Sequence, residues 1–106
     1  MYCRKKTMET LDNLGFRPTR SGTEYTAMGV EMMCANRGSS MMGDIYPGIA
    51  AAVGRSPQAV ERAMRSALQD AQESPGWSYH WRQLGGWGEA TNRELLLRIA
   101  RNQHED

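Results

Sequence analysis

No apolar run in the chain approaches the roughly 20 residues that a membrane-spanning helix needs, so no span is expected. The basic residues near the start, Arg4, Lys5 and Lys6, have no apolar stretch behind them, which speaks against a secretory leader. Only two cysteines occur, Cys3 and Cys34, 31 positions apart, and they make no disulfide framework. Net charge is scarce too. Thirteen basic and twelve acidic residues leave +1, so bulk charge demands no polyanionic partner. Lysine is confined to Lys5 and Lys6; every other cation is an arginine, the better fork-shaped donor to phosphates and guanine edges but equally common in ordinary ion pairs. Internal repeats, low-complexity tracts and heptad runs are absent.

What remains fits a soluble domain. A chain of 106 residues, 40% apolar and 24% charged, has the composition of one globular unit and lacks the low hydrophobicity and charge imbalance of disorder. The expectation is a single helical domain over residues 1–106, cytoplasmic and reduced, with residues 1–5 as a flexible basic arm. Arg4, Lys5, Lys6, Arg17 and Arg20 against Glu9 and Asp12 give the first twenty residues a local +3.

Glycines and prolines cut the chain into short helical pieces. A first helix is expected over Lys6–Leu14, ended by Gly15, with a connector through Pro18 to Arg20. Ser21 and Glu24 have the spacing of a capping box and open a helix to Ala35, with Tyr25, Met28, Met32 and Met33 as core filler. Asn36-Arg37-Gly38 closes it. One or two turns over Ser39–Ile45 and a helix over Pro47–Val53 follow, with Pro47 in the first turn. Ser56-Pro57 is the clearest helix start, a Ser N-cap and Pro at the first position, and that helix runs to Glu73. A short helix over Trp77–Leu84 and a capped one from Thr91 through Gln103 complete an all-α domain of about six helices.

The stretch that can carry function is Pro47–Val53, Gly54-Arg55-Ser56 and Pro57–Glu73: a helix, a tight glycine-containing turn and a longer capped helix, the pattern of a helix-turn-helix. At about 100° per residue, Val60, Ala63, Met64, Ala67, Leu68 and Ala71 fall on one side of the second helix. Gln58, Arg62, Arg65 and Gln69 fall opposite, flanked by Glu61 and Ser66. Arginine donates two bonds to guanine and glutamine does so to adenine, so this face has the chemistry of a base reader; the plain alternative is a solvated face. Arg55, Ser56 with the free N–H groups at the helix start, and Lys5 and Lys6 are phosphate candidates.

Other chemistry is poorly supported. Cys3, Cys34, His80 and His104 lack the short spacings of a zinc site, and no metal or other cofactor is expected. No base, nucleophile and oxyanion site come together, so neither enzyme activity nor a small-molecule substrate is expected. Leu84-Gly85-Gly86-Trp87-Gly88 is no phosphate loop, lacking the Lys-Ser/Thr pair and a preceding strand. Trp77, Tyr79 and Trp81 beside Arg82 suit either a packed core, which is favoured, or a platform for stacking single-stranded bases.

Tyr46-Pro47-Gly48-Ile49-Ala50 followed by Val60-Glu61-Arg62-Ala63-Met64-Arg65 resembles the C-terminal DNA-binding domain of the stage-zero sporulation response regulator A family, with its Y-P-x-I-A segment and V-E-R-A-I-R helix. Thr91-Asn92 and Glu94 are similar to the family's T-N-S-E helix start, and Gly15 and Gly22 also align. The resemblance covers roughly Leu11 to the last helix. It implies a bacterial, winged-helix-like effector domain of six helices that binds short promoter boxes in double-stranded DNA, often as dimers on tandem sites. The family's contacting helix carries over to Glu61, Arg62 and Arg65. Ala59 stands where the family has a basic residue and Ser66 where it has His, so the contact set differs. The receiver domain is missing from this chain, which implies that no phosphorylation switch acts in cis.

Two functions therefore stand: a sequence-specific double-stranded DNA-binding transcriptional regulator with residues 57–73 in the major groove, or an interaction module that pairs with a full-length regulator without touching DNA. The last helix, with Arg93, Arg98 and Arg101 against Glu94, Glu105 and Asp106, is a candidate dimer surface.

Overall fold

The helix over Ser21–Ala35 carries small and apolar residues on every side, and a helix with that distribution is stable only when surrounded. It is the central post of the fold. The computed structural model describes residues 3–35 and 42–104, which form α1 (Arg4–Leu14), α2 (Ser21–Ala35), α3 (Met42–Val53), α4 (Pro57–Gln72), α5 (Trp77–Gln83) and α6 (Asn92–His104). No strand occurs among the described residues. Four helices, α1, α3, α4 and α6, pack around α2. Its buried threonines satisfy themselves locally: Thr26 Oγ1 donates to the Gly22 carbonyl at 2.7 Å and Thr23 Oγ1 to the Arg17 carbonyl at 2.7 Å.

The surrounding helices each bury one stripe. Leu11 and Leu14 of α1, Ile45 and Ile49 of α3, Val60, Met64 and Leu68 of α4, and Leu95, Leu96 and Ile99 of α6 close a single core. Trp77 and Trp81 of α5 stack at 5.2 Å between centroids and are buried with them. Tyr79 is the exception to the expected aromatic core: two residues along a helix turn the side chain to the far side, and it is 65% exposed. None of the described helices is long and apolar enough to cross a membrane. Among the described residues no group of three His, Cys, Asp or Glu side chains is placed to hold a metal ion.

Four local expectations are corrected. Helix α1 starts at Arg4, so Arg4 and Lys5 are helical and do not belong to an arm. The backbone N–H of Cys3 donates to Gln103 Oε1 at 2.8 Å, tying this end to α6. Met1 and Tyr2 lie outside the described residues, as do the expected stop at Asn36-Arg37-Gly38, residues 39–41, Glu105 and Asp106. At α2 the capping box does not form as spaced: Ser21 is already the first helical residue, and the Glu24 carboxylate pairs with Arg4. Pro47 lies inside α3 and does not start a new helix. The hydrogen bond it forfeits would have ended on the carbonyl of Gly43, and both residues are exposed, so the carbonyl left without its N–H donor faces solvent. At the far end of α4, Glu73 caps the helix and is not part of it.

Candidate nucleic-acid interface

The helix-turn-helix is built from α3, the turn Gly54-Arg55-Ser56 and α4. Gly54 has φ +72°, a left-handed conformation that favours glycine, and the N–H groups of Gly54 and Arg55 both return to the Ala50 carbonyl, at 2.9 and 3.1 Å. The chain then reverses at Ser56, whose extended backbone leads into Pro57 and whose Oγ accepts from the Ala59 N–H at 3.1 Å. Pattern and geometry agree here because the cap, the proline and the turn glycine act within a few residues.

Helix α4 buries Val60, Met64, Ala67, Leu68 and Ala71 and leaves Gln58, Arg62, Arg65 and Gln69 exposed. Its seat against α2 is unusually close. A Cβ on Gly22 would stand 2.1 Å from the Ala63 carbonyl oxygen, so the two backbones touch without side chains between them. Arg20, at the end of the connector, fastens the same edge: one guanidinium nitrogen pairs with Asp70 and the other donates to Ser66 Oγ at 2.6 Å. Arg55 Nη1 donates to the Tyr25 hydroxyl at 3.2 Å, which holds the turn against α2. Across α4, Asn92 Nδ2 donates to the Tyr46 hydroxyl at 3.1 Å and joins α3 to the start of α6. Burial pushes the Tyr46 phenol above its ordinary pKa; Glu61 adds to that rise, while the Asn92 bond and Arg65 oppose it.

Among the described residues an open groove lies on each flank of α4. One, of about 340 Å³, is lined by Arg20, Gly22, Arg55, Ala59, Arg62 and Ser66 among others, and no carboxylate of the described residues lines it. The other, of about 450 Å³, holds Glu61 and Glu89 with Arg65 and Arg93, beside Tyr46 and Asn92. Its outer wall is kept in place by the Ala90 N–H, which donates to Gln72 Oε1 at 2.8 Å, and by the capping box in which Thr91 Oγ1 accepts from the Glu94 N–H at 3.2 Å. On α4 itself, Glu61 Oε2 lies 3.6 Å from Arg65 Nε.

The expected site residues divide accordingly. Gln58, Arg62, Arg65 and Gln69 stand on the outward face, with Glu61 half-buried beside them. Arg55 is exposed at the turn, and Ser56 uses its hydroxyl as the helix cap. Ser66 is half-buried and already accepts from Arg20. Lys5 lines a separate apolar cleft with Met8, Phe16 and Pro18 that shares no residue with either groove, and Lys6 lies one position further along α1. Arg20 and Arg93 went unassigned to the site in the sequence; Arg20's only signal was its share of the basic start, because its partners lie 46 and 50 residues away.

A family model described as the C-terminal domain of the sporulation initiation factor Spo0A matches residues 7–102. The comparison with curated proteins returns no match.

Proposed function

Because the chain belongs to the family of the sporulation initiation factor Spo0A C-terminal domain, a family of DNA-binding effector domains, we propose that it is a sequence-specific regulator that lays α4 in the major groove of double-stranded DNA. The observation that carries this reading is the exposed row Gln58, Arg62, Arg65 and Gln69 on a capped helix with open space on both sides. A groove about 12 Å wide admits one α-helix, provided neighbouring elements do not crowd its flanks. Arg62 and Arg65 are assigned to guanine edges or phosphates, Gln58 and Gln69 to base edges, and Glu61 to orienting Arg65 or accepting from cytosine. Arg55 serves a phosphate near the turn, with Ser56 holding the helix start.

Lys5 and Lys6 keep at most a role in long-range attraction, since their helix faces a different cleft. Pairing of two copies on tandem boxes would use the exposed Arg93, Glu94 and Arg101 of α6. The test is titration of a labelled random duplex library at two salt concentrations, followed by sequencing of the bound fraction. The reading expects steeply salt-dependent binding and an enriched short motif. Absence of binding at low salt, with a larger regulator captured in its place, favours the interaction module.

A further inference from the structure

The geometry points to a phosphate-backbone site in the groove between the start of α2 and α4, where Arg20, Arg55 and Arg62 hold one strand of the duplex; this deepens the DNA-binding reading and rests on it. The two grooves beside α4 differ in sign. The α6-side groove balances Arg65 and Arg93 with Glu61 and Glu89, whereas among the described residues the α2-side groove is lined by three arginines and no carboxylate. A duplex seated on α4 offers a sugar-phosphate strand to each flank, and the unbalanced flank attracts it more strongly.

Shape agrees with charge. Gly22, Ala59 and Ala63 keep the floor of this groove low, so a backbone can approach without meeting long side chains. The three arginines come from three places: the connector, the turn and α4. Contacts to phosphate from separate elements fix register and orientation, which is what a base-reading helix requires. Arg20 is held in advance: Asp70 and Ser66 engage one N–H on each terminal nitrogen, and a guanidinium has five, so three stay available. Asp70 offsets part of its charge, so Arg20 acts mainly as a directed donor, while Arg55 and Arg62 supply net charge.

Ala59 gives a clean test. It lines the groove at the third helical position after the Ser56 cap, so Ala59→Glu completes a capping box and strengthens the helix while placing a carboxylate in the groove. Anisotropy titrations of the full chain with two labelled duplexes, one of mixed sequence and one carrying the selected motif, are run at 50 and 200 mM salt for wild type, Arg55→Gln, Ala59→Glu, Ala59→Arg and, as a charge control outside both grooves, Arg82→Gln. Each lost phosphate contact lowers the logarithmic salt slope by about 0.9, so Arg55→Gln is expected to lose about 3.5-fold less affinity over this step than wild type. Ala59→Glu is expected to lower affinity for all sequences alike, Ala59→Arg to steepen the slope, and Arg82→Gln to match wild type. Arg20→Gln, with helix content checked by circular dichroism, is expected to follow Arg55→Gln. Wild-type binding with unchanged slopes in Arg55→Gln and Ala59→Glu overturns the groove assignment alone, as does a loss confined to the selected motif. Wild type that binds no duplex overturns both this assignment and the DNA-binding reading.

Discussion

Glu61 and Arg65 form an ion pair one helical turn apart on α4, Oε2 to Nε at 3.6 Å, with the glutamate on the N-terminal side. That order suits the helix dipole, and an exposed pair of this kind contributes only about 0.3–0.5 kcal/mol to folding. Its larger consequence is directional: the Glu61 carboxylate draws the Arg65 guanidinium toward one side of the helix before any base arrives. Glu61→Ala is therefore expected to change the melting temperature little. It should narrow the affinity ratio between a selected site and random duplex, because a freed Arg65 serves any phosphate. An unchanged ratio in competition titrations contradicts this role.

Ser56→Ala removes the acceptor for the Ala59 N–H and is expected to cost about 1 kcal/mol of stability. Urea unfolding followed by circular dichroism measures it, as a lower midpoint at constant slope. A midpoint equal to wild type would mean that Pro57 alone sets the helix start.

Gly22→Ala adds a methyl where the α4 backbone already stands. With the nearest atom a main-chain oxygen, relief requires α2 and α4 to separate, and about 1–3 kcal/mol is the expected loss for such overpacking. Since the same contact seats α4, DNA affinity should fall beyond what the unfolded fraction accounts for. Thermal unfolding and duplex titration of one preparation separate the two effects.

Tyr46 gives an alkaline signature. Burial disfavours its phenolate, so the folded phenol keeps its proton above the ordinary value of 10.0. The stabilisation is complete below that value and is lost as pH rises through the higher folded one. Tyr46→Phe is expected to flatten the fall in melting temperature above pH 10, at the cost of about 1 kcal/mol near neutrality from the lost Asn92 bond. Parallel alkaline curves for the two proteins would contradict the assignment.

Features set within a few residues were readable in advance. Ser56-Pro57, the Thr91–Glu94 box and the outward row on α4 follow from caps and helical periodicity, and the family motif adds the likeness from about Leu11 to the last helix. Features set by distant partners were not. Glu24 has capping-box spacing from Ser21 but is claimed by Arg4, and Ser66 lies on the outer flank but is claimed by Arg20. Pro47 looks like a start until Gly43 and the solvent around it show that the helix passes through. Tyr79 departs from the aromatic core by periodicity alone: two residues from Trp77 and two from Trp81, it faces away from their stack.

The central claim is that the outward guanidinium of Arg65 on α4 reads a base edge, while Arg62 holds the backbone. It is tested most directly by measuring Arg65→Ala, with Arg62→Ala as the backbone comparison, on the best selected duplex and on random duplex, with folding verified. A base-reading arginine is expected to lose about 1–3 kcal/mol on the selected site and far less on random DNA. Equal losses on both duplexes for Arg65→Ala, or none on either, would contradict the account.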